Sequence, residues 1–355
     1  MKKSVCLYNA RSSDRVGSND LSLFFSESLN KHIDEFGEPP EAIYLTSSIE
    51  LALFSFEEVT NSLISFLKGY TGSRIKVVTQ GCLGLFAGVM SFNSDDDLNS
   101  VLIISIEAPK KFIQDGLNNV GIGNLPGQDG LEISPSVGSI SLFKKSRPSI
   151  LDSDLVIDSC DIVSIPTSLS KQAFSIVKMT KNLISLLDES NGKLVSFEVS
   201  APWSRAIFTA IKGMVIKKCP DSEWLNSVEQ DHKHYMTVKQ ILELIEYKSE
   251  ILSKPLIMTG LGVGGRFGVL RIACSVHDYE NKISEPVVEA LDFKGHVNMT
   301  RGVILGSALN KEELIKKNIL SYDKKYRGLD NQIFSWNLEP AVCEGFLGSL
   351  ALEEA

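Results

Sequence analysis

Cys82 stands between two glycines in Gln80-Gly81-Cys82-Leu83-Gly84, where the β-branched run Arg74 to Thr79 gives way to the small apolar stretch Leu83 to Met90. That change of composition predicts a strand followed by a buried helix, with the thiol at the junction. The first turn of a helix carries N–H groups without an intrahelical partner and the positive end of the helix dipole. Both stabilise a thiolate, and the same donors can hold the oxyanion of a tetrahedral intermediate. The small neighbours leave room for an acyl chain. Spacing alone leaves Cys82 open between a nucleophile and a small buried apolar residue.

Other residues with chemistry to offer are fewer. Glu229-Gln230-Asp231-His232-Lys233-His234 puts two imidazoles in one short segment. A neutral imidazole beside a thiol would activate it and orient an acceptor, if that segment folds towards Cys82. The same composition suits a solvated surface. Glu198 is a further candidate base, and His32, His277 and His296 show no pairing that lifts them above packing or surface roles. The remaining cysteines, at 6, 160, 219, 274 and 343, form no C-x-x-C and no zinc-ligand spacing, so they are expected to be buried apolar residues. No metal site and no disulfide framework is expected. Gly260 to Gly265 formally satisfies G-x-G-x-x-G, yet a dinucleotide site needs a helix next. The next residues, Arg266-Phe267-Gly268-Val269-Leu270-Arg271-Ile272-Ala273, read as a strand, so the glycines predict a tight turn between paired strands and no cofactor.

The elements that must position these groups alternate between strand and helix over the first ~275 residues, which predicts an α/β fold. Strands are expected over 41–46, 74–79, 101–106 and 139–144, with helices over 21–32, 56–67 and 80–90. A glycine-rich loop spans 109–135, a length that marks a functional or disordered connection. A second stretch repeats the order, with helices at 172–187, 204–214 and 238–248 and strands at 194–199, 255–259 and 269–274. Each half ends as helix, strand, glycine-rich connection, strand, which suggests an internal duplication. Beyond residue 275 there is one candidate helix at 311–320 and an aromatic Phe334-Ser335-Trp336 without an assigned role.

Val77-Val78-Thr79-Gln80-Gly81-Cys82-Leu83-Gly84-Leu85-Phe86 resembles the nucleophile segment of thiolase-fold condensing enzymes, especially β-ketoacyl-ACP synthase III. Ile43 to Ser48 and Val101 to Ser105 resemble the strands that flank it there. Gly262-Val263-Gly264-Gly265-Arg266-Phe267-Gly268 resembles the family's glycine-rich turn, where a backbone N–H helps to form the oxyanion hole. The resemblance covers roughly residues 18–274 and implies a duplicated, five-layer αβαβα core; the C-terminal segment beyond it is an addition that the resemblance does not explain. It implies Cys82 as nucleophile, Val263 and Gly264 with Cys82 as backbone oxyanion donors, and usually a dimer. Two departures accompany it. Ser200, in Ser200-Ala201-Pro202-Trp203-Ser204-Arg205, stands where the family has its condensing His. The counterpart of the family's later Asn falls at Asp231. The N-terminal part also lacks the family's loop that grips the coenzyme A nucleotide, which favours a carrier-protein donor over free CoA.

Composition sets the outer limits. With 355 residues, 36 basic and 44 acidic side chains and a formal net charge of −8, the chain is globular and acidic. That argues against nucleic acid or an anionic membrane as partner. No apolar run approaches the ~20 residues that span a bilayer, and the N-terminal apolar stretch is too short for a signal peptide, so a cytoplasmic protein is expected. The reading divides the chain into an N-terminal half with the nucleophile (1–150), a C-terminal half (151–274) and an extension (275–355). The leading functional expectation is an acyl-thioester enzyme. It takes its acyl group from acyl carrier protein or acyl-CoA and works as a homodimer or as a heterodimer with a related chain. The alternative is a non-catalytic subunit that partners an active condensing enzyme.

Overall fold

The computed structural model describes residues 4–16, 18–47, 74–79, 82–107, 132–146, 154–164, 172–187, 194–196, 202–226, 233–262, 266–274, 282–283 and 334–338. The first elements are β1 (Ser4–Ser13), α1 (Ser18–Phe36), β2 (Ala42–Ser47), β3 (Arg74–Thr79), α2 (Gly84–Ser94), β4 (Ser100–Glu107), β5 (Glu132–Ile133), β6 (Ser136–Lys145) and β7 (Leu155–Ser164). Then come α3 (Gln172–Leu186), β8 (Leu194–Val195), α4 (Pro202–Lys218), β9 (Glu223–Trp224), β10 (Lys233–His234) and a 3₁₀ turn (Met236–Val238). The described chain ends with α5 (Lys239–Glu246), α6 (Lys248–Ile251), β11 (Leu256–Gly262), β12 (Arg266–Cys274), β13 (Lys282–Ile283) and β14 (Phe334–Leu338).

Most strands join one sheet in the order β14-β3-β2-β4-β6-β1-β7-β12-β11-β8-β9, with β13 beside β7. Read inwards from β3, the order β3-β2-β4-β6-β1 has two parallel pairs and then two antiparallel ones. Read inwards from β9, the order β9-β8-β11-β12-β7 has the same sequence of parallel and antiparallel pairs. The two arms meet where Val5, Cys6 and Leu7 of β1 pair antiparallel with Ile157, Val156 and Leu155 of β7. The duplication expected from element order is therefore present in the strand topology. The division at residue 150 falls among residues outside the described ones.

Two helices lie between the arms. Helix α2 packs on β2, β3 and β4 and also on β7 and β12, while α5 packs on β1 and β6. The sequence of α2, G-L-F-A-G-V-M-S-F-N-S, has no polar face to offer water, and every residue from Gly84 to Phe92 is buried. Its glycines fit it to the first arm: a Cβ on Gly88 would lie 3.1 Å from Ile103 Cδ1. On its other side Leu83 and Phe86 press onto Gly260 and Gly268, which face each other across β11 and β12. Outside the first arm lies α1, against β1, β4 and β6. Outside the second, Met179 and Leu183 of α3 and Ile211 and Val215 of α4 form a core with Ile257 and Phe267. The layers thus run helix, strands, helices, strands, helices, and β4 is buried along its whole length.

Strands β2, β3, β4, β6, β8, β11 and β12 fall on the segments expected to be strands, and β11 pairs with β12 so that Gly262 faces Arg266. The glycine-rich segment is therefore the connection of an antiparallel pair, with 263–265 outside the described residues. Strands β1 and β7 were not expected. In β1 the register shifts between Tyr8 and Arg11, and Asn9 takes a φ of 52°, the left-handed region that Asn tolerates better than most residues. That irregularity breaks the alternation by which a strand is recognised. The expected helices at 56–67 and 311–320 lie outside the described residues, as do residues 109–131 of the long loop. The end of that loop forms β5, which pairs parallel with β10.

Candidate active site

Cys82 is 3% exposed and sits directly before α2. The helix opens at Leu83, whose carbonyl accepts the Ala87 N–H at 3.0 Å. Its N-cap residue, Leu83, has no polar side chain to cap this end, no capping bond is made among the described residues, and no acidic residue occupies its first turn. The earliest N–H groups of a helix have no intrahelical partner, and such donors can stabilise a thiolate or an oxyanion. Two other thiols are buried within strands and not at a helix start. Burial, then the charge of Asp154, pushes the Cys6 thiol up to about 12, and burial followed by Asp161 pushes Cys160 upward. Neutral thiols of that kind are poor nucleophiles.

The start of α5 meets the start of α2 at this place. A Cβ on Gly84 would lie 2.8 Å from Thr237 Cγ2, in the 3₁₀ turn that leads into α5, and 3.0 Å from Thr46 Cβ, near the end of β2. Thr237 is fixed from below by Glu107, the last residue of β4. Its N–H donates to Glu107 Oε1 at 2.9 Å, and its hydroxyl donates to the same oxygen. Glu107 is fully buried. Thr46 Oγ1 and Ser105 Oγ share a hydrogen bond of 2.7 Å beside it. The carboxyl ends of the parallel strands β2 and β4 therefore present a polar floor, and the starts of both central helices converge above it.

A second polar group lies further along α5. Lys239 and Glu243 are nearly inaccessible and stand 3.4 Å apart across one helical turn. Ser196, at the end of β8, donates its hydroxyl to Glu243 Oε1, and its own carbonyl accepts from Thr259 Oγ1 at 2.8 Å. Lys239 is the first residue of α5, where the helix dipole disfavours a cation; the Glu243 carboxylate offsets this. Between them, Gln240 is 1% exposed, and its Oε1 accepts no hydrogen bond among the described residues.

No protein-family model matches the sequence, and no curated protein matches it. Solved structures do. A variant of OleA from Xanthomonas campestris, a thiolase-fold enzyme, superposes with a TM-score of 0.50 over 77% of this chain and 98% of that one, at 12% identity. The chain has the thiolase fold. Also similar is 3-oxoacyl-(acyl carrier protein) synthase III from Pseudomonas aeruginosa, at 13% identity and TM-score 0.47, over 76% of this chain and 96% of that one. The enzyme of the same name from Aquifex aeolicus has 11% identity and a TM-score of 0.45, over 77% and 99%.

Of the residues expected to form the site, Cys82 and His234 are among the described ones. Cys82 lies just ahead of α2. His234 lies on β10, three residues before Thr237, so its backbone leads directly into the converging helix starts. Asp231, His232, Val263, Gly264, Glu198 and Ser200 lie outside the described residues. His32 has a packing role, as expected: it is fully buried against Phe36, with Nδ1 2.9 Å from Ser141 Oγ. Burial lowers its imidazole to about 4. No group of His, Cys, Asp and Glu able to hold a metal occurs among the described residues. No helix among them is long and apolar enough to cross a membrane. Sequence reasoning missed Glu107, Ser196, Thr237, Lys239, Gln240 and Glu243. The one signal for Glu107 was a charge closing the apolar run 101–106.

Proposed function

We propose that this thiolase-fold chain is an acyltransferase of the condensing-enzyme type, with Cys82 as nucleophile. Cys82 Sγ attacks the carbonyl of an acyl thioester carried by acyl carrier protein or coenzyme A. The donor's C–S bond breaks, the donor thiol leaves with the cysteine proton, and an acyl-Cys82 thioester remains. An acceptor nucleophile then attacks that carbonyl and the thiol is restored. The reading assigns the oxyanion to backbone N–H groups of Cys82 and of Val263 or Gly264, and proton transfer to Asp231, His232 or His234. Replacement of the family's condensing His by Ser200 favours transfer to oxygen or nitrogen, or an unusual condensation in fatty-acid-related or polyketide-type biosynthesis.

The observation that carries this reading is the buried thiol at the uncapped start of α2, where the start of α5 also arrives. Those dipole ends favour a thiolate and its tetrahedral adduct. Intact-mass spectrometry after incubation with acyl-carrier-protein or acyl-CoA donors tests it. An adduct of one acyl mass is expected on the wild-type chain and none on Cys82→Ala. Absence of the adduct, or an equal adduct on the variant, removes the proposal and leaves the non-catalytic partner subunit, which would co-purify with an active condensing enzyme.

A further inference from the structure

We propose that Gln240 recognises the acyl acceptor, and that this acceptor brings a hydroxyl or amine hydrogen to it. The inference rests on the acyltransferase reading of Cys82 and adds the class of its second substrate. Three observations carry it. Gln240 is on the central helix whose start converges with that of α2, one turn from Thr237, which touches Gly84. Its amide nitrogen approaches Gly260, against which Leu83, the residue next to the nucleophile, also packs. The point that a Gly260 Cβ would occupy is 2.6 Å from Leu83 Cδ2, 3.1 Å from Phe86 Cε2 and 3.4 Å from Gln240 Nε2. Finally, Oε1 is a buried acceptor that accepts nothing among the described residues, whereas its neighbours Lys239 and Glu243 are engaged with each other and Glu243 also with Ser196.

A buried carbonyl left unfilled is costly, and a hydrogen-bond donor brought by a ligand relieves that cost. An acceptor carrying O–H or N–H fills it; a carbanion acceptor brings no such hydrogen. In the transfer step the acceptor oxygen or nitrogen forms a bond to the acyl carbon. The C–S bond to Cys82 breaks, and the proton lost by the acceptor ends on the sulfur. Gln240 Oε1 holds the hydroxyl or amine in place during the attack. A pocket that hydrogen-bonds its substrate rejects analogues lacking the donor far more strongly than an apolar pocket can.

The test separates acylation from transfer. Cys82 is loaded from decanoyl-CoA or decanoyl-carrier protein, and discharge is followed by intact mass with glycerol, ethanolamine, malonyl-CoA or buffer alone. Glycerol or ethanolamine is expected to discharge the wild-type acyl-enzyme at least about tenfold faster than malonyl-CoA or buffer. In Q240M, close in shape but without the acceptor oxygen, the ratio of that discharge to acylation is expected to fall at least about tenfold. An unchanged ratio in Q240M, as when a water fills the site, overturns the role of Gln240 while the Cys82 reading stands. Preferential discharge of the wild type by malonyl-CoA overturns the acceptor class even if Q240M does not fold. Failure of Cys82 to load at all removes both.

Discussion

At the scale of single residues, the site depends on atoms that are missing as much as on those present. Gly84 has no Cβ, and the space is taken by Thr237 and Thr46 at 2.8 and 3.0 Å. Thr237 cannot retreat freely, because its N–H and hydroxyl are both held by buried Glu107. Gly84→Ala is therefore expected to cost about 1–3 kcal/mol, the usual range for overpacking a core. It should also slow acylation of Cys82 by separating the two helix starts. Thermal unfolding and the rate of adduct formation measure the two effects; an alanine variant with wild-type values for both would show that Thr237 moves without consequence. The thiol itself was legible from the sequence, since Gly81-Cys82-Leu83-Gly84 at a strand-to-helix change is a local signal. Glu107 and Thr237 were not, because the contact that joins them spans 130 positions of chain.

At the scale of elements, α5 explains why half of the site was invisible. Its sequence, K-Q-I-L-E-L-I-E, has the spacing of a surface helix with Lys239, Gln240 and Glu243 facing water. The structure instead buries all three, because α5 packs on β1 and β6 of the first arm while Gln240 approaches Gly260 and Glu243 bonds Ser196 of the second. Periodicity reports which residues share a face but not which face meets solvent. The α2 segment carried no such ambiguity, since an all-apolar helix has only the interior to occupy. Burying an ion pair costs desolvation, and losing one member leaves the other uncompensated. Lys239→Met alone is expected to destabilise the chain by about 3–5 kcal/mol, and the double replacement K239M/E243L to recover most of that loss. Chemical denaturation of the two variants and wild type gives the comparison. Equal destabilisation by the single and double replacements would show that the loss in Lys239→Met does not come from an uncompensated Glu243 carboxylate.

At the scale of the whole molecule, the sheet has two outer ends, and they differ. At one end β14 covers β3, with Phe334 opposite Thr79 and Leu338 opposite Ile75. This gives a place to the aromatic segment that composition could not assign, because a five-residue strand far from its partner in sequence leaves no local trace of the pairing. Removing 331–355 is expected to uncover the β3 edge, whose free N–H and C=O groups then recruit other chains. Light scattering should record a shift to larger species for the truncated chain; an unchanged size distribution would show that the β3 edge is protected without β14. The fold class and the repeated halves were legible because element order survives where residue identity does not. The seam between the halves was not, since β1 and β7 are both irregular or unsignalled strands joined by three residue pairs. That seam also sets a timetable. Ser4 pairs with Lys145 and Leu7 with Leu155, so during synthesis β1 waits for partners made some 140 positions later. At ~5–20 residues per second it stays unpaired for on the order of 10 s, with Val5, Cys6 and Leu7 exposed to any chaperone or protease that reaches the nascent chain first.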